Sequence, residues 1–284
     1  MSRLQHYVAS SSLPVSVEEA FAYHDRPGAL ERLIPPWESV EIEHSDGSLT
    51  KGSRVVMKTK VFGVPVRWVA EHTHYEPPDL FCDTQLSGPF AVWNHRHEFK
   101  ASGRYCELND RIEYQIPLGG VGRLFGAGKV RSTLESMFAF RHRITRDDLT
   151  LMADHPIQPM VIAVSGSSGL VGSHLKSMLT LLGHDVRPIV RSDSREPREI
   201  AAWESEAEAA KFSDVDAVVH LAGKSIADSR WTESIKREIR DSRVTKTRQL
   251  CESLAKLSKK PRVLVCASAT GIYGDRGDEE LDES

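Results

Sequence analysis

Three glycines that follow a short apolar segment constrain the fold of this chain more than any other feature of its sequence. The segment 160–165 reads Met-Val-Ile-Ala-Val-Ser, and Gly166, Gly169 and Gly172 come after it. The first glycine allows a sharp turn off a strand, the second lets backbone N–H groups approach a pyrophosphate, and the third lets a helix pack against the sheet. The pattern predicts a strand, a phosphate-binding turn and a helix whose N-terminus faces the anion.

The residues after the glycines extend this pattern to a βαβ unit. A helix is predicted over Gly172–Leu182, with apolar residues three and four apart, and a second strand over Asp185–Val190. A strand, a glycine turn, a helix and a strand within about thirty residues are typical of a dinucleotide-binding fold. A tight strand-to-helix turn that binds nothing has the same glycines, and this alternative stays open.

The residue after the second strand discriminates between nicotinamide cofactors. An acidic residue there accepts hydrogen bonds from the ribose 2′-hydroxyl of NAD, whereas an arginine neutralises the 2′-phosphate of NADP. Arg191 follows Val190 directly and favours NADP, while Asp193 keeps NAD open. The alternative is an arginine that is only solvated at a strand end.

Two further strands are predicted, at residues 216–223 and 262–268. The first ends at Ala222 and Gly223, which leave room for a nucleotide across the sheet edge. A helix is predicted between these strands, and its inward residues are Ile235, Ile239, Val244, Leu250 and Leu254. The predicted cofactor-binding residues are Gly166, Ser167, Ser168, Gly169, Leu170, Val171, Gly172, Arg191, Leu221, Ala222, Gly223 and Ser268.

The front half of the chain has a different pattern. Two prolines in His155–Pro159 predict a first domain at 1–150, a linker at 151–159 and a second domain at 160–284. Ser16 and Glu19 form a predicted capping box at a helix start. An antiparallel sheet broken at Asn109-Asp110 and elsewhere, with one long amphipathic helix along it, is predicted to follow. The strands are Val40–His44, Arg54–Val61, Val66–Tyr75, Leu80–Leu86, Ala91–Lys100 and Arg111–Ile116, and the helix is Val121–Arg146, with Leu124 and Phe125 among its apolar residues.

Histidines alternate on two of these predicted strands, His72 with His74 and His95 with His97. Histidines on one face of neighbouring strands can bind a metal. The sequence shows no strand register and no carboxylate or thiolate at matching spacing, and His95 and His97 share their face with aromatic residues. We therefore predict packed or hydrogen-bonded core histidines and assign no metal site. A metal and a polar contact for a bound ligand are the alternatives.

Composition narrows the class of protein. The net charge of −3 offers no basic surplus for nucleic acid, so no nucleic-acid partner is predicted. The four cysteines are scattered, without the close pairing of a zinc knuckle or the density of a disulfide framework. No apolar run has the roughly eighteen residues that a membrane helix requires, and the N-terminus has no apolar targeting segment. These features predict a cytoplasmic protein without membrane contact, and they leave its oligomeric state unknown.

Four runs of the second domain resemble the extended short-chain dehydrogenase/reductase superfamily, and within it the atypical NAD-dependent epimerase/dehydratase-like group of sugar-nucleotide epimerases. They are 215–223 (Val-Asp-Ala-Val-Val-His-Leu-Ala-Gly), 226–231 (Ile-Ala-Asp-Ser-Arg-Trp), 239–247 (Ile-Arg-Asp-Ser-Arg-Val-x-x-Thr) and 267–274 (Ala-Ser-Ala-Thr-Gly-x-Tyr-Gly). His220 stands where that group usually has asparagine. The resemblance implies a Rossmann-like parallel sheet and a nicotinamide dinucleotide.

The first domain resembles the START-like, polyketide-cyclase-like (SRPBCC) superfamily with its helix-grip fold, and some members of the epimerase-like group carry such a domain in front. The matching segments are Ser16–Phe21, Gly88–Phe90, Trp93–Phe99 and Phe140–Arg143. The resemblance implies a hydrophobic ligand within 1–150. The predicted fold class is therefore an α+β helix-grip domain followed by an α/β Rossmann-like domain.

The second domain departs from active extended dehydrogenases in two ways. Ala269 stands where they have a serine or threonine that holds the substrate oxygen, and their Tyr-x-x-x-Lys occurs nowhere in this sequence. The remaining candidates for catalytic roles are Ser268, Thr270 and Tyr273. The sequence also stops just past the fourth predicted strand, so we expect a fragment with an incomplete, truncated Rossmann domain.

Together these features predict an NADP-binding oxidoreductase or epimerase-like protein with an unassigned small-molecule substrate, either a sugar nucleotide or a carbonyl compound. The competing hypothesis is a non-catalytic module that binds NADP(H) and a hydrophobic ligand and has a regulatory or scaffold role. Turnover of a sugar nucleotide or carbonyl compound distinguishes the two.

Overall fold

The computed structural model describes residues 4–61, 63–117, 119–191, 197–201 and 210–282, without the side chains of 119–125 and 270. The chain forms two compact units, Met1–Gln158 and Pro159–Ser284. None of the helices in the described part is both long and apolar enough to cross a lipid bilayer.

The front unit contains a seven-stranded antiparallel sheet in the order β1-β7-β6-β5-β4-β3-β2. Its strands are β1 (Gln5–Leu13), β2 (Glu41–Ser45), β3 (Arg54–Val61), β4 (Val64–Glu76), β5 (Leu80–Ser87), β6 (Val92–Ser102) and β7 (Tyr105–Gln115), and its helices are α1 (Val17–Asp25), α2 (Ala29–Arg32) and α3 (Gly119–Asp154).

The first helix begins where its capping signal predicts. The Ser16 hydroxyl accepts a hydrogen bond from the Glu19 N–H, and the Glu19 carboxylate accepts one from the Ser16 N–H. These two bonds satisfy N–H groups that a helix start otherwise leaves without partners. The predicted capping box is confirmed.

The long helix α3 packs along the inner face of the sheet. Leu134 and Phe138 of α3 form one core with Tyr7 of β1, Trp93 of β6 and Ile112 of β7. This arrangement confirms the START-like helix-grip fold. The side chains of Leu124 and Phe125, two apolar residues of the predicted amphipathic helix, lie outside the described residues.

Three expectations for the front unit were wrong in detail. The strand β1 carries no strong apolar alternation and was missed, although it pairs with β7 along its whole length. The predicted break at Asn109-Asp110 lies inside β7, and both residues are buried. The helix continues from Arg146 to Asp154, so the first residues of the predicted linker 151–159 are helical.

The second unit contains a five-stranded parallel sheet in the order β10-β9-β8-β11-β12. Its strands are β8 (Val161–Ser165), β9 (Asp185–Val190), β10 (Ile200–Ala201), β11 (Ala217–His220) and β12 (Val263–Cys266), and its helices are α4 (Leu170–Leu181), α5 (Glu233–Lys256) and a 3₁₀ turn over Thr270–Tyr273. The sheet confirms the predicted Rossmann-like fold.

The helix α5 uses less of its apolar surface than its sequence predicts. Leu250 and Leu254 pack into the core of the sheet, as expected. Val244 is 47% exposed, and Ile235 and Ile239 are only half-buried, which corrects the predicted inward face. The sequence pattern identified the helix but not how far its apolar stripe is covered.

Candidate dinucleotide-binding site

The glycine loop lies where the strand order of the sheet reverses. From β8 the chain proceeds outward to β9 and β10 on one side, and then returns to place β11 on the other side of β8. The carboxyl ends of β8 and β11 are therefore neighbours whose connections leave in opposite directions. Such a switch point opens a crevice in which α/β sheets bind their ligands.

Gly166 makes the turn out of β8. Its φ of +69° lies in the left-handed region, which side chains other than glycine rarely adopt. A Cβ at this position would lie 2.9 Å from the Ala222 nitrogen, which follows β11. Both the turn and the close approach of the two strand ends therefore require glycine.

Gly169 and Gly172 place the start of α4 against this turn. The Gly169 N–H donates to the Gly166 carbonyl oxygen at 3.0 Å, and the Ser173 N–H donates to the Gly169 carbonyl oxygen at 2.8 Å. A Cβ on Gly172 would collide with the Gly166 carbonyl, with 2.8 Å left to its carbon. The predicted steric roles of Gly166 and Gly172 agree with this geometry.

The N-terminus of α4 offers donors to an anion. Gly169 is the N-cap, and because it has no side chain no hydrogen bond caps the helix. The first N–H groups of a helix have no partner within the helix, and its dipole is positive at this end. Leu170 and Val171 are 70% and 65% exposed, so this turn is open to solvent. The residues present therefore fit a dinucleotide pyrophosphate.

A buried serine and histidine hold the two strand ends together. The Ser165 Oγ accepts hydrogen bonds from the Leu221 and Ala222 N–H groups, at 3.1 and 3.2 Å. Its own hydrogen therefore goes to His220 Nδ1, 2.7 Å away. The Nε2 of His220 then carries the ring hydrogen and donates to Thr247 Oγ1 at 3.0 Å. The sequence identified His220 only as a departure from a family pattern and missed its contact with Ser165.

This network predicts a pH dependence. Burial lowers the pKa of His220, so the folded protein keeps the ring neutral at a pH where the unfolded chain protonates it. Below about pH 6.5 the unfolded state binds this proton more readily than the folded state, so the free energy of unfolding decreases as the pH decreases. We expect the protection of the β11 amides against hydrogen exchange, relative to an unstructured chain, to fall more steeply below this pH in the natural chain than in His220→Asn. Equal pH profiles would contradict this assignment.

The edge after β11 also carries a cation, which α5 contributes. The Arg243 guanidinium lies beside Gly223, and a Cβ on Gly223 would be 3.3 Å from its Cζ. Its Nη1 donates to the Lys224 carbonyl oxygen at 2.8 Å. The strand β11 ends at His220, three residues before the predicted end at Gly223. Ala222 and Gly223 follow it as small residues, and Arg243 adds positive charge beside them.

Ser268 lies after β12, the strand beside β11. The Ala267 N–H donates to the His220 carbonyl oxygen at 3.0 Å, so Ser268 follows at the same edge of the sheet. Ser268 and Ala269 are exposed, and with Ile272 and Tyr273 they line an open pocket. The side chain of Thr270 lies outside the described residues.

Arg191 lies at the end of β9, one strand away from the glycine loop. It directly follows Val190 and is exposed to solvent. Asp193, the residue that keeps NAD open, lies outside the described residues. The parallel pairing of β8 with β9 places the end of β9 at the same edge as the loop.

A parallel sheet with a glycine turn and an uncapped helix N-terminus at its switch point defines a Rossmann-like dinucleotide-binding domain. Residues 162–284 match the NAD dependent epimerase/dehydratase family, and residues 13–164 match the polyketide cyclase / dehydrase and lipid transport family. The chain belongs to the polyketide cyclase / dehydrase and lipid transport family, whose match covers more than half of its residues, and its second unit is similar to the NAD dependent epimerase/dehydratase family. The match of the second unit implies a nicotinamide cofactor.

Individual relatives agree with this assignment. The chain is 39% identical over 127 residues to Epimerase family protein Mb2239 of Mycobacterium bovis. The match covers 44% of this chain and 41% of that protein. The chain is also 40% identical over 121 residues to Epimerase family protein YfhF of Bacillus subtilis, covering 40% and 39%. The chain thus spans about two fifths of the length of these relatives.

A solved structure resembles nearly the whole chain. The nucleoside-diphosphate sugar epimerase from Corynebacterium glutamicum is similar with a TM-score of 0.77 and 28% sequence identity. The match covers 97% of this chain and 57% of that protein. The order of a helix-grip unit followed by a Rossmann-like unit is therefore shared with this structure.

Proposed function

We propose that the second unit binds NADP(H) for an oxidoreductase or epimerase reaction on a nucleoside-diphosphate sugar. The observation that carries this proposal is the cradle formed by Gly166, Gly169 and Gly172 beside the end of β11. The substrate class rests on the similarity to the Corynebacterium glutamicum epimerase.

Different groups around the cradle bind different parts of the dinucleotide. The N–H groups of the first turn of α4 hold the pyrophosphate, and the Arg243 guanidinium adds positive charge near Gly223. Ala222 and Gly223 let the dinucleotide pass over the sheet edge without obstruction. When bound, the nicotinamide supplies the chemistry of hydride transfer.

The end of β12 is where this chain contacts the substrate in our proposal. The Ser268 hydroxyl is exposed there and orients a substrate oxygen, and Tyr273, 39% exposed, lines the same pocket. The resemblance to extended dehydrogenases supplies no further proton donor, because Ala269 replaces their hydroxyl residue and Tyr-x-x-x-Lys does not occur in this sequence.

Calorimetric titration with NADPH, followed by assay of nucleoside-diphosphate sugars for epimerisation, tests the proposal. We expect saturable NADPH binding and epimerisation of a nucleoside-diphosphate sugar. Binding without turnover would favour the non-catalytic module that carries a hydrophobic ligand in the front unit. No binding at millimolar NADPH would overturn the assignment of the cradle.

We predict that Arg191→Ala weakens NADPH binding and leaves NADH binding unchanged. An arginine that contacts a phosphate is worth about 1.5–3 kcal/mol, which corresponds to a roughly 10- to 150-fold loss of NADPH affinity. Titration of both cofactors against both proteins measures this. An equal loss of affinity for NADPH and NADH would contradict a contact between Arg191 and the 2′-phosphate. An unchanged affinity for NADPH would contradict it as well.

A further inference from the structure

Four polar residues meet on the inner face of the front sheet, where the surrounding side chains are aromatic. Asp83 of β5 pairs with His95 of β6, and His97 of β6 pairs with Asp110 of β7. Residues two apart on a strand point to the same face, so both histidines face inward between the two aspartates. We call Asp83, His95, His97 and Asp110 the histidine–aspartate centre.

Each histidine of the centre turns one ring nitrogen toward each aspartate. His95 Nδ1 and His97 Nε2 lie 3.4 and 3.6 Å from Asp83 Oδ2. His95 Nε2 and His97 Nδ1 lie 2.9 and 2.6 Å from Asp110 Oδ1. The two aspartates therefore play different parts, because only the distances to Asp110 fall within hydrogen-bond range.

The distances to Asp83 match those between ligands of one metal ion. Ligand atoms about 2.0 Å from a tetrahedral zinc ion are about 3.3 Å apart, close to the separations of Asp83 from His95 and His97. One ligand atom from each of these three residues lies within 4.8 Å of the other two. Two histidines and one carboxylate form a common ligand set for divalent first-row metals.

Asp110 has the place of the outer carboxylate in a metal site. Histidines that bind metals usually donate their second N–H to a carboxylate, which fixes the ring orientation. His95 Nε2 makes such a hydrogen bond with Asp110 at 2.9 Å, and His142 Nε2 of α3 contacts the other oxygen of Asp110 at 2.6 Å. The approach of His97 Nδ1 is not aligned as a hydrogen bond, which leaves a buried polar atom unsatisfied.

The electrostatics of the centre suit a cation. Asp83 and Asp110 are two largely buried carboxylates that lie on either side of the two histidines. Buried carboxylates in proteins are paired with positive charges or coordinate metal ions. The centre therefore favours a positive charge between its two carboxylates.

The centre is accessible from one side. The side chains of Asp83 and His97 are 17% and 13% exposed, whereas those of His95 and Asp110 are 5% and 4% exposed. The His97 ring stacks on Phe81 with 4.0 Å between ring centroids, which restricts its movement. An ion can therefore enter past Asp83 and His97, and His95 and Asp110 form the buried side of the centre.

We propose that Asp83, His95 and His97 bind a divalent first-row transition metal such as Zn²⁺, with Asp110 as the carboxylate that orients His95 and lies against the ring of His97. Three protein ligands leave a coordination position for water or for an oxygen atom of a small molecule bound in the front unit. The proposal is independent of the cofactor site, because every residue in it belongs to the front unit.

The test is titration of the chelator-treated chain with Co²⁺, whose visible absorption reports histidine coordination, followed by displacement with Zn²⁺. We expect one ion per chain, with bands that disappear in both Asp83→Asn and His97→Gln. We expect Asp110→Asn to keep the bands and to bind the ion about 10- to 100-fold more weakly. His74→Gln, at an exposed histidine of β4, is the matched control and should bind as the natural chain does.

The outcomes separate the proposal from its alternative. A natural chain that gives no Co²⁺ bands and no saturable Zn²⁺ binding at micromolar metal would show that the centre is only a buried ion-pair network. Bands that persist in both Asp83→Asn and His97→Gln would also overturn the proposal. If one of these variants does not fold, the other variant and the titration of the natural chain still decide.

Discussion

Gly172→Ala is expected to abolish dinucleotide binding and to destabilise the second unit. The new methyl group would overlap the Gly166 carbonyl, which also accepts the Gly169 N–H. Gly172 itself is buried against the backbone of the turn, so neither can move without the other and the loop must change shape. Overpacking of this kind costs about 1–3 kcal/mol. Calorimetric titration with NADPH and hydrogen exchange of α4 measure the two effects.

Gly271→Ala is the matched control for this substitution. It adds the same methyl group within the same unit, and a Cβ there meets no atom within 4 Å. We expect NADPH affinity and exchange rates close to those of the natural chain. If Gly172→Ala bound NADPH as tightly as this control, the cradle would not be the site of the pyrophosphate.

Asp148→Ala is expected to lower the free energy of unfolding of the front unit by about 3–5 kcal/mol. The Asp148 carboxylate accepts two hydrogen bonds from Arg32, at 2.8 and 2.7 Å, and one from the Tyr23 hydroxyl at 3.0 Å. It thereby joins α1, α2 and α3. Its side chain is 3% exposed and that of Arg32 is 13% exposed, so removing the carboxylate leaves a poorly solvated charge without its partner.

The neighbouring aspartate provides the control. Asp147 lies 3.7 Å from Arg143 in an ion pair whose two side chains are more than half exposed. Exposed pairs of this kind contribute little, and we expect Asp147→Ala to change stability by less than about 0.5 kcal/mol. Urea unfolding followed by hydrogen exchange in α1 and α3 compares the two variants. Similar losses would show that Asp148 is not specifically required.

The features that the sequence predicted well depend on residues close together in the chain. The turn at Gly166, the capping box of Ser16 and Glu19, and the strand Asp185–Val190 each follow from backbone conformation or side-chain contacts within a few residues. Such local signals predict local structure without knowledge of the rest of the fold. The order of a helix-grip unit and a Rossmann-like unit followed from the same local patterns, together with the family resemblances.

What the sequence predicted less well depends on pairing across the sheets. β1 has weak alternation and exists as a strand because β7 offers it hydrogen-bond partners over its whole length. Asp110 looked like part of a turn, because Asn-Asp pairs favour turns, but its burial beside His95 and His142 keeps it within β7. Tertiary context overrides local preference at such positions.

The sequence alone therefore determined the glycine cradle, because steric limits on the backbone act on each residue separately. Only the tertiary structure decided which polar side chains meet. Strand register placed Asp83 opposite His95 and Asp110 opposite His97, and the parallel pairing of β8 with β11 placed Ser165 against His220. Register is set by packing over a whole sheet, and a shift of one residue would reverse every side chain, so no local pattern contains it.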